Sequence, residues 1–335
     1  MYTKSISGIS VKAITAAIPS TIMGEKDFVE LYGEKNTSRV IRGTGIRSIR
    51  VAQGLRTSDM ISSAIEHLSK NIDFDKSEID GVIVITQTPD DWSPGTAFSI
   101  HQKLELPRHC FLLDLNSGCS GYANGIIQAA ALINSNVCKN VMVCTGDINT
   151  RLISDKDYQI RMLFGDAATV SLVTKGSDNI SFIYGSDGSG RELLGTNLNY
   201  EKNDLTSGRI GFLKMDGAAV MSFALKRVPE VINTLLEETQ VKKENVDLYA
   251  LHQPNEFILG YLRDILELDD KKLPADVDGI GNTNSSSIPL LLCRKKWNSR
   301  KDNVLICGFG VGLSWNSMLL NLNDTIMIEP MEIIV

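Results

Sequence analysis

The chain is short of metal-binding and membrane-spanning material. Four histidines are scattered along 335 residues, and the six cysteines (110, 119, 138, 144, 293 and 307) include no Cys-x-x-Cys pair. Such a set lacks the spacing of a zinc site. No apolar stretch is long enough to cross a bilayer, and Met1–Ser7 carries no signal-peptide core. Reduced thiols and a cytoplasmic location are therefore expected. Positive charge is also in the minority: 34 Lys and Arg against 40 Asp and Glu leave a net charge of −6. That balance argues against a nucleic-acid surface and leaves no general basic field for an acidic partner. What remains is the composition of a soluble globular enzyme, long enough for two domains or one two-lobed unit.

Short apolar runs alternate with helical patterns. Val82–Ile85, Val141–Cys144, Leu248–Leu251 and Val304–Cys307 predict buried strands, and Ser58–Lys70, Gly121–Ser135 and Ala218–Glu238 predict helices. The class is α/β. The runs also repeat in order. Ile79–Gln87 resembles Val246–Gln253, and Asn140–Gly146 resembles Asn303–Gly310. The chain therefore reads as two copies of one α/β layer, residues 1–175 and 176–335, joined near Thr174–Asn179. Equivalent strand ends in such a pair converge on one central site, where ligands of open α/β sheets collect.

Cys119 is the most informative single residue. An apolar run, Cys110–Leu115, leads into Asn116-Ser-Gly-Cys-Ser-Gly121, and Ile126–Ile133 follows at helical spacing. That is a strand, a tight turn and a helix. A thiol at the mouth of a helix meets unpaired N–H groups and the positive dipole end, which favour thiolate. A buried cysteine that merely packs fits the same segment. His252, in Leu-His-Gln-Pro-Asn, stands where an apolar strand stops, in the half that opposes Cys119. A helix is expected from Phe257 to Leu268. Asn282 follows two glycines in Gly279-Ile-Gly-Asn-Thr-Asn-Ser-Ser-Ser-Ile-Pro289, whose Ser/Thr cluster can cap a helix starting near Ile288. Asn284 ranks second to Asn282, because Gly281 gives only Asn282 an adjacent hinge. Gly308-Phe-Gly-Val-Gly312 follows a strand and can aim N–H groups into a site. It is no dinucleotide fingerprint, because Ser314–Leu322 predicts a strand rather than a helix.

Together these segments resemble the thiolase superfamily, and within it the β-ketoacyl-ACP synthase III group. The resemblance runs through Thr44–Arg47, Asp114–Gly121, Leu163–Ala168, His252–Asn255, Gly281–Pro289 and Gly308–Gly312. It implies a duplicated five-layer αβαβα fold and a homodimer. It implies Cys119 as the acyl-accepting nucleophile, with His252 and Asn282 polarising the carbonyl of a malonyl thioester. The backbone N–H of Cys119 and one from Gly310, Val311 or Gly312 would hold the oxyanion. Acyl-CoA or acyl-ACP and malonyl-ACP are the implied substrates, acyl carrier protein the implied partner, and the reaction a decarboxylative Claisen condensation that calls for no metal or redox cofactor.

Relatives in the superfamily fit less well. Thiolase needs a second cysteine in the glycine loop, and Cys307 falls one residue early. Hydroxymethylglutaryl-CoA synthase needs a Glu near Gln87–Thr88, where none stands. A type III polyketide synthase and a non-condensing acyltransferase on the same fold stay open. Three positions depart from the synthase III pattern. Arg39 stands where the family carries an adenine-stacking Trp, and Gly43 replaces a neighbouring Arg. Phe257 stands where an Arg docks the carrier protein. Ser93, beside Trp92, replaces a residue that caps the partner's acyl pocket. These changes point to a specialised synthase III.

Overall fold

The computed structural model describes residues 2–196, 198–201, 204–295, 297 and 301–334. Its principal strands are β1 (Lys4–Pro19), β2 (Gly81–Ile85), β3 (Phe111–Leu115), β4 (Asn140–Asp147), β5 (Ala167–Ser186), β6 (Leu248–Leu251), β7 (Val304–Gly310) and β8 (Ser314–Leu320). The helices that cover them are α1 (Thr57–Asn71), α2 (Thr96–Leu104), α3 (Gly121–Asn134), α4 (Gly217–Thr239), α5 (Glu256–Leu266) and α6 (Ser287–Arg294). Every residue of β2, β6 and β7 is buried. Continuous apolar runs of this kind belong to strands covered on both faces.

One set of pairings runs β3-β2-β4-β5-β1, with β2 parallel to β3 and β4, and β5 antiparallel to β4 and β1. A second runs β6-β7-β8-β5, parallel between β6 and β7 and antiparallel after that. In both, parallel strands come first and the antiparallel ones last. The two sets share β5. Residues 167–174 of β5 pair with β4, and residues 181–186 pair with β8. The sequence join near Thr174–Asn179 thus falls inside one long strand, with a register shift against β1 beside Lys175 and Asp178.

Among the described residues, three large apolar clusters lie between five layers. α1 and α2 cover one face of the first set through Met60, Ile61, Ile65 and Ile100 against Val82, Val84 and Met142. α3 and α6 lie in the middle, where Ile126, Ala130 and Leu291 meet Ile83, Ile85 and Val143 on one side and Ala250 and Ile306 on the other. α4 and α5 close the far face, with Val228, Leu235 and Leu259 against Tyr249, Leu305 and Cys307. The alternating orientation of strand side chains puts Cys307 on that outer face.

Some expected boundaries shift. α5 ends at Leu266, because Glu267 turns left-handed and its N–H closes on Arg263 and Asp264 carbonyls. α6 begins at Ser287, after a single turn of 3₁₀ helix at Asn284–Ser286. No helix among the described residues is long and apolar enough to cross a membrane.

Candidate active site

The strands deliver the chemistry at their carboxyl ends. Gln87 follows β2, Cys119 follows β3, Asp147 ends β4, His252 follows β6 and Gly310 ends β7. Cys119 lies just before α3 and is 5% exposed. Backbone N–H groups at the helix mouth do favour the thiolate, as expected, but burial outweighs them. Burial pushes the thiol up to about 12, and the buried Asp147 carboxylate adds to the effect. Hydrogen bonds from the Val311 and Cys119 backbones pull the other way without prevailing. Desolvation outweighs the dipole because the sulfur is cut off from water.

His252 is equally enclosed. Burial drives it down to about 3, against an opposing hydrogen bond to the Asn284 backbone, so its ring is neutral at physiological pH. Ser287 Oγ stands 2.7 Å from Nδ1 and also accepts the Gln253 N–H at 3.3 Å. When the Ser287 hydroxyl donates to Nδ1, the ring proton sits on Nε2. Phe309 holds the ring edge-on, with centroids 5.4 Å apart.

Asn282 is placed by the Leu163–Asp166 segment. Its N–H donates to the Leu163 carbonyl at 2.8 Å, and its carbonyl accepts from Gly165 at 3.1 Å. Gly281 before it has φ +83°, and a Cβ there would lie 2.8 Å from the Gly165 nitrogen. Only glycine suits both conditions. Asn282 Oδ1 accepts the Asn284 N–H at 2.9 Å. Its Nδ2 is therefore the free end of the amide.

The end of β7 runs against the nucleophile. A Cβ on Gly310 would lie 2.8 Å from Cys119 Sγ, so a glycine is what admits the sulfur. Asn316 ties this strand to the helix mouth. It accepts the Gly308 N–H at 3.1 Å and donates to the Ser120 carbonyl at 2.8 Å.

Cys119, His252, Asn282, Phe309 and Gly310 all line one cavity of about 80 Å³, whose other walls include Leu163, Phe164, Met215, Val220 and Ile258. A larger cavity of about 550 Å³ lies between Ser154–Gln159 and Gly211–Lys214 and touches none of these polar groups. The candidate substrate residues lie elsewhere. Arg39, Trp92 and Ser93 are exposed and line neither space. Phe257 is 47% exposed, edge-on to Tyr261, one residue before the cavity-lining Ile258. Among the described residues, no cluster of three or more His, Cys, Asp or Glu side chains could hold a metal ion.

Sequence reasoning passed over Asp147, Ser287 and Asn316 and ranked Asn284 below Asn282. In the structure Asn284 is the residue on the sulfur, its Oδ1 accepting the Cys119 S–H at 3.2 Å. An acidic residue closing an otherwise apolar strand, as Asp147 closes β4, was the available signal.

A buried thiol, a neutral imidazole, an amide and a strand end bearing N–H groups meet at one cavity on a layered, thiolase-like α/β fold, a set of groups of the kind thiol-dependent acyl transfer uses. Residues 113–188 match the family model of 3-oxoacyl-[acyl-carrier-protein] synthase III, and residues 236–322 match its C-terminal model. A β-ketoacyl-[acyl-carrier-protein] synthase III of Streptococcus mutans is 31% identical over 315 residues, 91% of this chain and 96% of the relative. One from Nostoc is 31% identical over 326 residues, covering 93% and 97%. A 3-oxoacyl-(acyl-carrier protein) synthase structure from Burkholderia xenovorans superposes with a TM-score of 0.93 at 28% identity, covering 99% of both chains. The priming β-ketosynthase of the R1128 polyketide pathway superposes at 0.84 with 25% identity, covering 94% of this chain and 97% of its own. The chain belongs to the β-ketoacyl-[acyl-carrier-protein] synthase III family.

Proposed function

We propose that the protein condenses an acyl thioester with a malonyl thioester, with loss of carbon dioxide, through an acyl-Cys119 intermediate. The observation that carries this reading is the meeting of Cys119, a neutral His252 and the Nδ2 end of Asn282 on one cavity. In the first half-reaction the sulfur attacks the donor's carbonyl. The new C–S bond replaces the donor's C–S bond, and the Cys119 proton leaves on the departing thiol. The backbone N–H groups of Cys119 and Val311, which already face the sulfur, are placed to receive the oxyanion.

In the second half-reaction a malonyl thioester loses carbon dioxide, and the electron pair of the broken C–C bond becomes an enolate. Two neutral N–H donors, His252 Nε2 and Asn282 Nδ2, suit the enolate oxygen. A charged imidazolium could protonate the carbon that must react, and burial keeps His252 from becoming one. The carbon then attacks acyl-Cys119, the C–S bond breaks, and the thiolate takes up a proton from solvent. A 3-oxoacyl thioester departs.

Acyl-CoA or acyl-ACP serves as donor, malonyl-ACP as extender, and the chain works as a homodimer. Roles for Arg39, Trp92, Ser93 and Phe257 belong to substrate and partner contacts outside the cavity. Intact-protein mass spectrometry tests the scheme. Acyl-CoAs of graded length should load Cys119, and malonyl-ACP should discharge it with release of carbon dioxide. Asn282→Ala should load and fail to decarboxylate malonyl-ACP. Discharge only by an alcohol or amine would make the protein a non-condensing acyltransferase, and absence of loading would refute the reading.

A further inference from the structure

Asn284 touches the reactive sulfur, and its amide is turned by Asp147 and Gln87. Nδ2 has two oxygens in front of it, Gln87 Oε1 and Asp147 Oδ2, each at 3.0 Å. A flipped amide would set its own oxygen against the ionised Asp147 carboxylate, which also accepts from Ser285. Oδ1 is thereby held on Cys119 at 3.2 Å. Asp147 is anchored in turn. Its Oδ1 accepts the Gln87 N–H at 2.7 Å and the Thr86 hydroxyl at 3.3 Å, and its Oδ2 accepts the Ser285 hydroxyl at 3.2 Å. Asn284 itself is left-handed, with φ 55°, and is 3% exposed. Its main-chain N–H orients Asn282, so one residue serves the nucleophile by side chain and the second amide by backbone.

An S–H···O=C hydrogen bond exists only while the sulfur is protonated. An ionised sulfur would face the negative end of the amide dipole. We propose that the Asn284 amide, locked by Asp147 and Gln87, holds Cys119 in its thiol form and aims the sulfur until an acyl thioester is bound. This rests on Cys119 being the nucleophile of the proposed condensation. Asn282 and Asn284 then divide the work: one amide answers to the enolate, the other to the resting thiol. Asp147 and Gln87 act through Asn284 and are positioning residues.

The test is Asn284→Gly, since glycine accepts the left-handed backbone and keeps the N–H to Asn282. The thiolate ultraviolet absorbance of Cys119 is titrated with pH, with Cys119→Ala subtracted. The onset should move down by about one pH unit, so about tenfold more thiolate forms at a fixed pH. Gln87→Ala should give a smaller shift in the same direction, and Asn282→Ala none. An unmoved onset in Asn284→Gly, or an equal shift in Asn282→Ala, overturns the proposal. A second measurement uses the wild-type protein alone. The infrared S–H stretch assigned to Cys119 should lie at the lowered frequency of a thiol bonded to an amide oxygen, and a free-thiol frequency refutes it. Neither readout uses an acyl substrate. Condensation with an unmoved titration removes only the role of Asn284, whereas a moved titration without condensation removes only the functional reading.

Discussion

Replacing Gly310 by alanine puts a methyl group against the nucleophile. The new carbon would lie 2.8 Å from Cys119 Sγ and 2.9 Å from Cys119 Cβ. Ordinary contact between such atoms is about 3.5–4.0 Å, so about 1 Å of movement is needed. The strand has little freedom to supply it, because Gly310 is paired to Ser314 and Gly308 is tied through Asn316 to the Ser120 carbonyl. The sulfur therefore moves. Displacing a reacting atom by about 1 Å costs on the order of 10²-fold in rate, while the overpacking itself costs about 1–3 kcal/mol of stability. Acyl-CoA loading of Gly310→Ala, followed by intact-protein mass spectrometry, should be slower by about two orders of magnitude. Circular dichroism should still show a folded protein with a melting temperature lowered by a few degrees. Loading at the wild-type rate in a folded Gly310→Ala protein would refute both the crowding and the role of this strand as the wall behind the sulfur.

Two further outcomes follow from buried groups. His252 has its folded value lowered to about 3, below the unfolded 6.5, so the unfolded chain binds the extra proton between those values. Stability is therefore lost as pH falls from 6.5 toward 3, by about 2–3 kcal/mol at pH 4.5. Urea unfolding at pH 7 and 4.5 should show His252→Gln losing that much less than wild type, and equal losses would contradict the burial of a neutral ring. Asp147 and Asp166, raised to about 7 and about 6, act with the opposite sign and gain stability as pH falls toward 3.8; both proteins contain them, so they cancel. Asp166→Ala should cost about 3 kcal/mol in urea unfolding at pH 7. It removes the acceptor of the Ala52 N–H at 2.8 Å, the Thr150 N–H at 3.0 Å and the Thr150 hydroxyl at 2.6 Å. An unchanged midpoint would show that those donors find other partners.

The legible part of this protein was the part written in short range. Runs such as Val82–Ile85 and Val304–Cys307 are strands because apolar β-branched residues fit a surface covered on both sides. Their repetition anticipated two related sets of pairings. Cys119 and His252 could be singled out because each comes after a strand stops, whereas the Gly308–Gly312 segment, expected to follow a strand, has Gly308–Gly310 inside it, where strand pairing to Ser314–Asn316 carries the glycines up to the sulfur. Gly281 pointed to Asn282 through a backbone demand that only glycine meets.

Burial and direction were settled by tertiary structure. The ionisation of Cys119 followed from its isolation from water, and no motif encodes how much solvent reaches a sulfur. Asn282 and Asn284 are two residues apart in the same polar run. Only the left-handed turn at Asn284, with Asp147 and Gln87 arriving from other strands, decides which amide meets the sulfur and which keeps its N–H end free. The sequence by itself determined the short buried strands, several of the covering helices and the identity of the chemical groups, because local periodicity and residue type suffice for those, whereas the long strands Lys4–Pro19 and Ala167–Ser186 that join the two sets were not read from it. Which group faces which, and in what state of protonation, was decided by contacts spanning as many as 197 positions along the chain, where solvent exclusion and hydrogen-bond geometry act together.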